Sequence, residues 1–530
     1  MSEGLETTLR LLTQTKNEAA ASLLIPALDS THVDIQEGAL RVLLDRHSEA
    51  GSHEIVRRLH LINERWEAII DQRQGRLTQA LRDAVLAKQP QLCANGCRGV
   101  LWFREYDLLP ALITAAEDES NPNRELVATT LLKLAELLYD ELAMRRDYRN
   151  RRDPQLVRRH VLGNLEQSVR RYPRHQVGAV IEAFLLLVHR DNVTLKQILL
   201  DPLDPVYRPL VDVLTHGQRG GVIRLILSFL DDSRMPSSAV TILAHRSDAR
   251  FVEALVRKIG AEPSPAIVAN LKRIENFAWL QSEPALLEPL DEAGQYAAVQ
   301  LAMRSGMNRR AVYKMIEFLL QRGNEGGRRA ASAALEQFSG ADANSLCLRA
   351  LADRSPQVQA NALRQLRSRG IPGALTRLVE MIESPHEIVR IAVRESLAEF
   401  NFKRFLAAYD MLDNEVRRST GLMVRMIDPA AIPQLLEELA AKSRTRRLRA
   451  ITVAVSMGAA VDVEPQLLER LGDEDHVVRA EAARALGRCN TPAAWHALGE
   501  ACRDRSVVVQ EAAEESLMHL QQLSVGRRGG

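Results

Sequence analysis

The 530-residue chain predicts an all-α fold: a right-handed α-α superhelix, or solenoid, of about a dozen stacked helical hairpins. Three observations predict it: a short motif with a fixed period, a core composition of small and branched aliphatics, and the scarcity of strand-like alternation. The motif is an anchor residue, an aliphatic five positions on, a basic residue or Gln next, a small residue at nine and Leu at thirteen. Asp473, Val478, Arg479, Ala482 and Leu486 carry it, as do Asp504, Val509, Gln510, Ala513 and Leu517. Asp353, Val358, Gln359, Ala362 and Leu366 make a further copy, and Ser384, Val389, Arg390, Val393 and Leu397 another. Anchors 353 and 384 are 31 residues apart, and so are 473 and 504. A period of this length belongs to repeat architectures, in which each unit buries its apolar face against the next. Hydrophobic residues make up 46% of the chain and aromatics only 4%, so the core must be Leu, Ala, Val and Ile, residues that favour helix or let helices approach closely.

Residues 1–139 are predicted to form N-terminal hairpins. Leu23, Leu24, Pro26 and Leu28 lead into Ile35, Gln36, Ala39 and Leu43, and Leu109, Pro110 and Leu112 lead into Leu126, Val127 and Leu134. Within them, Leu59, Ile62, Trp66, Ile69 and Ile70 predict one longer helix over 50–90. Residues 140–206 are predicted to be an Arg-rich irregular insertion ending in an extended loop at Asp201–Pro205, because residues before proline avoid the helical region. Residues 207–339 hold degenerate helical repeats, in which Arg328 and Arg329 precede Ala330, Ala331, Ala333, Ala334 and Leu335. Residues 340–523 are the most regular. There Val416-Arg417 and Leu448-Arg449 imply anchors at 411 and 443. First helices open with proline and leucines, as at Pro433, Leu435, Leu436 and Leu439 or Pro465, Leu467, Leu468 and Leu471, since proline is tolerated in a first turn. The Asp or Ser turn caps the second helix. Residues 524–530 are predicted to be a disordered tail.

The proline-leucine first helix, the Asp turn, the Val-Arg pair and the Ala/Leu second helix resemble the HEAT-repeat family, one of the armadillo-like helical folds. The resemblance implies that second helices line a concave surface and first helices a convex one. It also implies a ladder between the arginines at the basic position (Arg390, Arg417, Arg449, Arg479) and turn aspartates such as Asp473 and Asp504, broken where Ser384 replaces an anchor. The family includes scaffolds, transport factors and regulatory subunits.

Composition excludes little else. Net charge is +2, which provides no global field for nucleic acid or an acidic membrane. Nine lysines leave 61 of the 70 basic residues as arginine, the better bidentate partner for carboxylate or phosphate. Five cysteines, at 93, 97, 347, 489 and 502, are odd in number and predict a reducing, cytoplasmic setting. Cys93 and Cys97 share a helical face without further ligands at metal spacing. The segment before Leu11 lacks the basic run of a secretory signal. The apolar stretch Phe184–Val188 falls far short of the ~18 residues of a membrane helix.

The sharpest local feature is the arginine run. Arg145, Arg146, Arg149, Arg151, Arg152, Arg158, Arg159, Arg170, Arg171 and Arg174 stand against Asp147, Asp153 and Glu166, with Tyr148 and Tyr172 interleaved. The first seven are the candidate partner-binding residues. Arginine with aromatics suits phosphate backbones and bases, and equally an acidic protein partner or a solvated surface.

No catalytic set converges. HEAT-like deoxyhypusine hydroxylases hold iron with four His-Glu pairs, and this chain has only His53-Glu54 and His386-Glu387. The tryptophans of HEAT-like DNA glycosylases have no mapped counterpart in Trp66, Trp102, Trp279 and Trp495. Gly323–Arg328 is glycine-rich but lacks a preceding strand and a Lys-Ser/Thr ending, so it predicts a hairpin turn. The expectation is a non-catalytic scaffold or adaptor binding a protein partner, with no cofactor and no metal. The alternatives are a nucleic-acid-binding or glycosylase-like protein that uses the Arg-rich segment, and the regulatory subunit of an enzyme. Oligomeric state is open.

Overall fold

The computed structural model describes residues 3–73, 75–144, 153–281 and 286–526. Every regular element among the described residues is helical. The chain divides into two compact units: Met1–Phe318 with Arg322–Gly327, and Leu319–Gln321 with Arg328–Gly530.

In the first unit, helices pair into hairpins whose second members stack on one another. Leu109–Glu117 packs on Arg124–Ala143, Pro154–Arg170 on Gly178–Leu187, and Tyr207–His216 on Gly220–Ser228. Arg124–Ala143, Gly178–Leu187, Gly220–Ser228 and Ala249–Ile259 then contact one another in that order. Periodicity explains each. Arg124–Ala143 buries Val127, Leu131, Leu134, Ala135 and Leu138, a stripe at helical spacing that faces the neighbours. Gly178–Leu187 is apolar nearly all round and buries Val180, Ile181 and every residue from Ala183 to Leu187, because other helices cover several of its faces. Gly221 lets the next helix come close: a Cβ there would stand 2.9 Å from the Leu186 carbonyl oxygen.

The structure corrects three expectations in this unit. Residues 50–90 are not one long helix. They form Glu49–Arg57, a 3-10 turn at Leu59–Leu61, Glu64–Asp71 and Thr78–Leu86. Asn63 restarts the chain by accepting the Trp66 N–H at 3.0 Å, while Leu59, Trp66, Ile69 and Ile70 are buried as their spacing implied. Residues 140–206, apart from 145–152 outside the described residues, are not an irregular insertion either. They contain helices Pro154–Arg170, Tyr172–His175, Gly178–Leu187 and Val193–Leu200. Asp153 caps the first by accepting the Gln155 N–H at 2.9 Å, Pro154 occupies its first turn, and Val161, Leu165 and Val169 give it a buried stripe. Arg158, Arg159 and Arg170 occupy positions that stripe leaves free. Between Leu200 and Tyr207 the chain leaves the helix as expected but is turned rather than extended: the Asp204 and Tyr207 N–H groups donate to the Asp201 and Asp204 carbonyls at 3.1 and 3.0 Å. There the Asp201 and Asp204 carboxylates accept the Leu203 and Val206 N–H groups at 3.0 and 2.8 Å.

The second unit follows the period. Its second helices are Pro356–Gln365, Glu387–Ser396, Asn414–Ile427, Arg444–Ser456, His476–Leu486 and Val507–Gly526. Five of them begin three residues after anchors 353, 384, 411, 473 and 504. Arg444–Ser456 begins only one residue after the expected anchor Ser443, so the equivalent anchor is Ala441, two residues earlier. A hydrophobic core runs without interruption from Phe402 to Leu520. The final helix reaches Gly526, so 524–526 continue a helix where a disordered tail was expected, and 527–530 lie outside the described residues. Gly323–Arg328 is only partly a turn: helix Glu325–Ala334 starts within it, and Gly326 lets its first turn approach the Glu292 carbonyl.

The arginine ladder is present and interrupted. Arg479 Nε donates to Asp504 Oδ2 at 2.9 Å and its Nη1 to the Asp473 carbonyl at 2.8 Å. Arg447 lies 2.8 Å from the Asp473 carboxylate, and Arg328 donates to Asp353 at 2.8 Å. Arg390 and Arg417 pair with no carboxylate among the described residues: Arg390 donates to the Ser384 carbonyl at 2.7 Å, and Arg417 to the Tyr409 carbonyl at 2.8 Å while its guanidinium lies 4.6 Å from the Tyr409 ring centroid. Arg449, expected as a rung, is not one. It donates to the Leu406 carbonyl and stands 3.4 Å from Asp410, and Arg447 takes the basic position.

Candidate binding trough on the second-helix layer

The first unit carries three depressions of about 450, 480 and 500 Å³ along its second helices. Lys133, Glu136 and Arg219 line both the first and the second, and Gly220 lines both the second and the third. Shared walls make them one trough across Arg124–Ala143, Gly178–Leu187, Gly220–Ser228 and Ala249–Ile259. Each depression falls within the size range of ligand clefts, and together they fit a segment of polypeptide.

Charge is divided along the trough. At the Arg124–Ala143 end, Glu125, Glu136 and Asp140 outnumber Lys133. Arg219, just ahead of helix Gly220–Ser228, ties that end together: its Nε donates to Glu182 Oε1 at 2.7 Å and its Nη1 pairs with Glu136. One side chain therefore bridges three successive second helices. At the other end, Arg224, Arg250, Arg257 and Lys258 line the wall with one carboxylate, Asp231. Lys258 holds Asp231 at 2.7 Å and Arg257 holds Glu253 at 2.6 Å. Arg224 lies 4.8 Å from the centroid of the Tyr139 ring, a cation-π contact that fixes the guanidinium without neutralising it. The floor here is Ile223, Leu227 and Ala254.

Of the seven arginines singled out by sequence, Arg145, Arg146, Arg149, Arg151 and Arg152 lie outside the described residues. Arg158 and Arg159 sit on Pro154–Arg170 and line a separate depression of about 240 Å³ with His189 and Asp191. Arg159 is exposed. Arg158 is half-buried and its Nε donates to the Leu187 carbonyl at 2.7 Å. Burial, and then the like charge of Arg224, hold its pKa below the usual guanidinium range. Sequence reasoning missed Arg219, Arg224 and Arg250. They are isolated along the chain, and only the stacking of hairpins brings them together.

Other constellations resolve into structure. Ser168, His175 and Glu117 meet, but the Val177 N–H donates to His175 Nδ1 at 3.0 Å. The ring proton is therefore on Nε2, which faces the Ser168 carbonyl at 3.0 Å, and the Ser168 hydroxyl donates to Glu117 at 2.5 Å. The imidazole cannot act as base toward a serine that is itself fully buried. Cys93 and Cys97 are buried free thiols. Among the described residues no group of three or more His, Cys, Asp and Glu is placed to hold a metal ion. Trp66 and Trp279 are buried in the core, Trp102 stacks on Phe103, and Trp495 Nε1 donates to Asn490 at 3.0 Å. No helix among the described residues is long and apolar enough to cross a membrane.

Comparison with known proteins matches residues 312–398 and 432–518 to the HEAT repeats model. No curated protein matches the chain. Among solved structures, the chain is similar to that from a study of a phosphorylation switch controlling the interaction between cadherin and beta-catenin. Identity is 14%, coverage is 94% of this chain and 99% of that one, and the TM-score is 0.36. It is similar to Kap121p bound to Nup53p at 14% identity, over 98% of this chain and 57% of that one, with a TM-score of 0.25. Human deoxyhypusine hydroxylase in complex with glycerol gives 19% identity, 57% of this chain, 96% of that one and a TM-score of 0.17.

Proposed function

We propose that this chain, which carries HEAT repeats over 312–398 and 432–518, is a non-catalytic cytoplasmic scaffold that holds a protein partner in the trough of its first unit. The observation that carries the reading is the shared-wall trough on four stacked second helices, rimmed by charges of both signs over an apolar floor. Such a surface has the mixed polarity of protein recognition sites. Carboxylates in its wall (Glu125, Glu136, Asp140) repel a phosphate backbone and favour protein over nucleic acid. The Arg-rich segment from Arg145 to Arg159 supplies a second, electrostatic contact, a reading supported by its charge: seven arginines stand there against Asp147 and Asp153. The five free cysteines support the reducing compartment.

The test fills the trough. Ala128 and Ala254 line its two ends and are only partly buried, so Ala128→Trp/Ala254→Trp leaves the fold intact. Affinity capture followed by mass spectrometry should recover a partner with the native chain and lose it with the double variant at equal melting temperature. Undiminished recovery of the same partner rejects the reading.

A further inference from the structure

The basic end of the trough is specific enough to describe what enters it. Among the described residues, neither Arg224 nor Arg250 has a carboxylate within 4.0 Å, whereas Arg257 and Lys258 are paired at 2.6 and 2.7 Å. Arg224 and Arg250 are exposed, lie on adjacent second helices and line the same depression as the apolar Ile223, Leu227 and Ala254. Tyr139 holds the Arg224 guanidinium in place, which lowers the entropic cost of using it. The depression of about 500 Å³ has room for one or two large aliphatic side chains. The opposite end of the trough, with Glu125, Glu136 and Asp140, disfavours continued negative charge.

We propose that the depression over helices Gly220–Ser228 and Ala249–Ile259 docks a partner segment in which bulky apolar side chains are flanked by carboxylates, the apolar groups on Ile223 and Leu227 and the carboxylates on Arg224 and Arg250. The charge division fixes its direction: the acidic part lies over this end and a neutral or basic part over Arg124–Ala143. The inference rests on the trough being the protein-binding site.

The probe is a fluorescein-labelled dodecapeptide with three central leucines flanked by glutamates, compared by anisotropy with the same peptide carrying glutamines and with a single-stranded RNA dodecamer. The native chain should bind the glutamate peptide with an affinity that falls as salt rises, and about tenfold more tightly than the glutamine peptide. Arg224→Gln/Arg250→Gln should erase that margin, and Arg224→Lys/Arg250→Lys should restore most of it. Both arginines are exposed, so neither variant should shift the melting temperature. Equal binding of the two peptides, no binding of either, or tighter binding of the RNA with the same sensitivity to Arg224→Gln/Arg250→Gln overturns the inference. If Ala128→Trp/Ala254→Trp still abolishes capture of the native partner under those outcomes, the trough remains the binding site and only its acidic preference falls. If capture survives the filled trough, the underlying reading falls instead.

Discussion

Individual residues show most clearly where sequence suffices and where it fails. The Arg-Asp rungs at 447/473 and 479/504 are almost wholly excluded from water: Arg447 and Asp473 keep 6% and 3% of their side-chain exposure, Arg479 and Asp504 4% and 15%. Removing one member of such a pair strands a buried charge, so Asp504→Asn should destabilise the second unit by about 3 kcal/mol in urea titrations at neutral pH. The hydrogen bond from Arg479 holds the Asp504 carboxyl below its ordinary value of 3.8. The folded state therefore binds that proton more weakly than the unfolded one. The pair's stabilisation is complete above about pH 4 and is lost as pH falls through the folded value, so the gap between native chain and Asp504→Asn should close on acidification. A gap independent of pH would assign the effect to packing. The rung at 479 was legible from the Val478-Arg479 pair. The one at 447 was not, because Leu448-Arg449 imitates the pair two positions late. Arg446 fills the aliphatic slot and escapes to solvent by donating to Glu438 at 2.7 and 2.8 Å. A lone glycine is equally opaque in sequence. Gly221→Val, which would drive a side chain toward the Leu186 carbonyl, should cost the first unit about 2 kcal/mol, measured by the same titration.

At the scale of the element, periodicity identified most second helices because each carries a stripe set by its own sequence. It failed where charge density hid the stripe. Helix Pro154–Arg170 has Arg158, Arg159 and Arg170 on its surface, and its apolar face is reduced to Val161, Leu165 and Val169. The Asp153-Pro154 start was the available signal. Leu59 to Ile70 misled in the opposite sense, since apolar residues from separate helices fell by chance into one helical register. The Arg-rich segment leads into Pro154–Arg170, and its contribution is testable as a unit. Arg151→Ala/Arg152→Ala should weaken partner capture and flatten its salt dependence, with no change in melting temperature. Capture at low salt equal to that of the native chain would leave the segment without a role in binding.

For the whole molecule, the family match stops at 398 and resumes at 432. That gap contains the anchor at 411, which follows 384 by 27 residues rather than 31, yet helix Asn414–Ile427 and a continuous core cross the same region. A shortened repeat, with helices Glu387–Ser396 and Phe402–Ala408 where the 473 repeat has His476–Leu486 and Pro492–Ala501, disturbs the pattern in sequence without breaking the core. The repeat architecture was therefore readable from the chain. The trough was not, because it is assembled from edges of helices that span Glu125 to Lys258, and no local window contains it. The account stands on that surface being where a partner lies. Hydrogen–deuterium exchange of the full chain, with and without its captured partner, tests this directly. The account predicts slowed exchange in Arg124–Ala143, Gly178–Leu187, Gly220–Ser228 and Ala249–Ile259. Protection confined to the first helices Leu109–Glu117, Tyr207–His216 and Ser237–His245, or to the second unit alone, would contradict it.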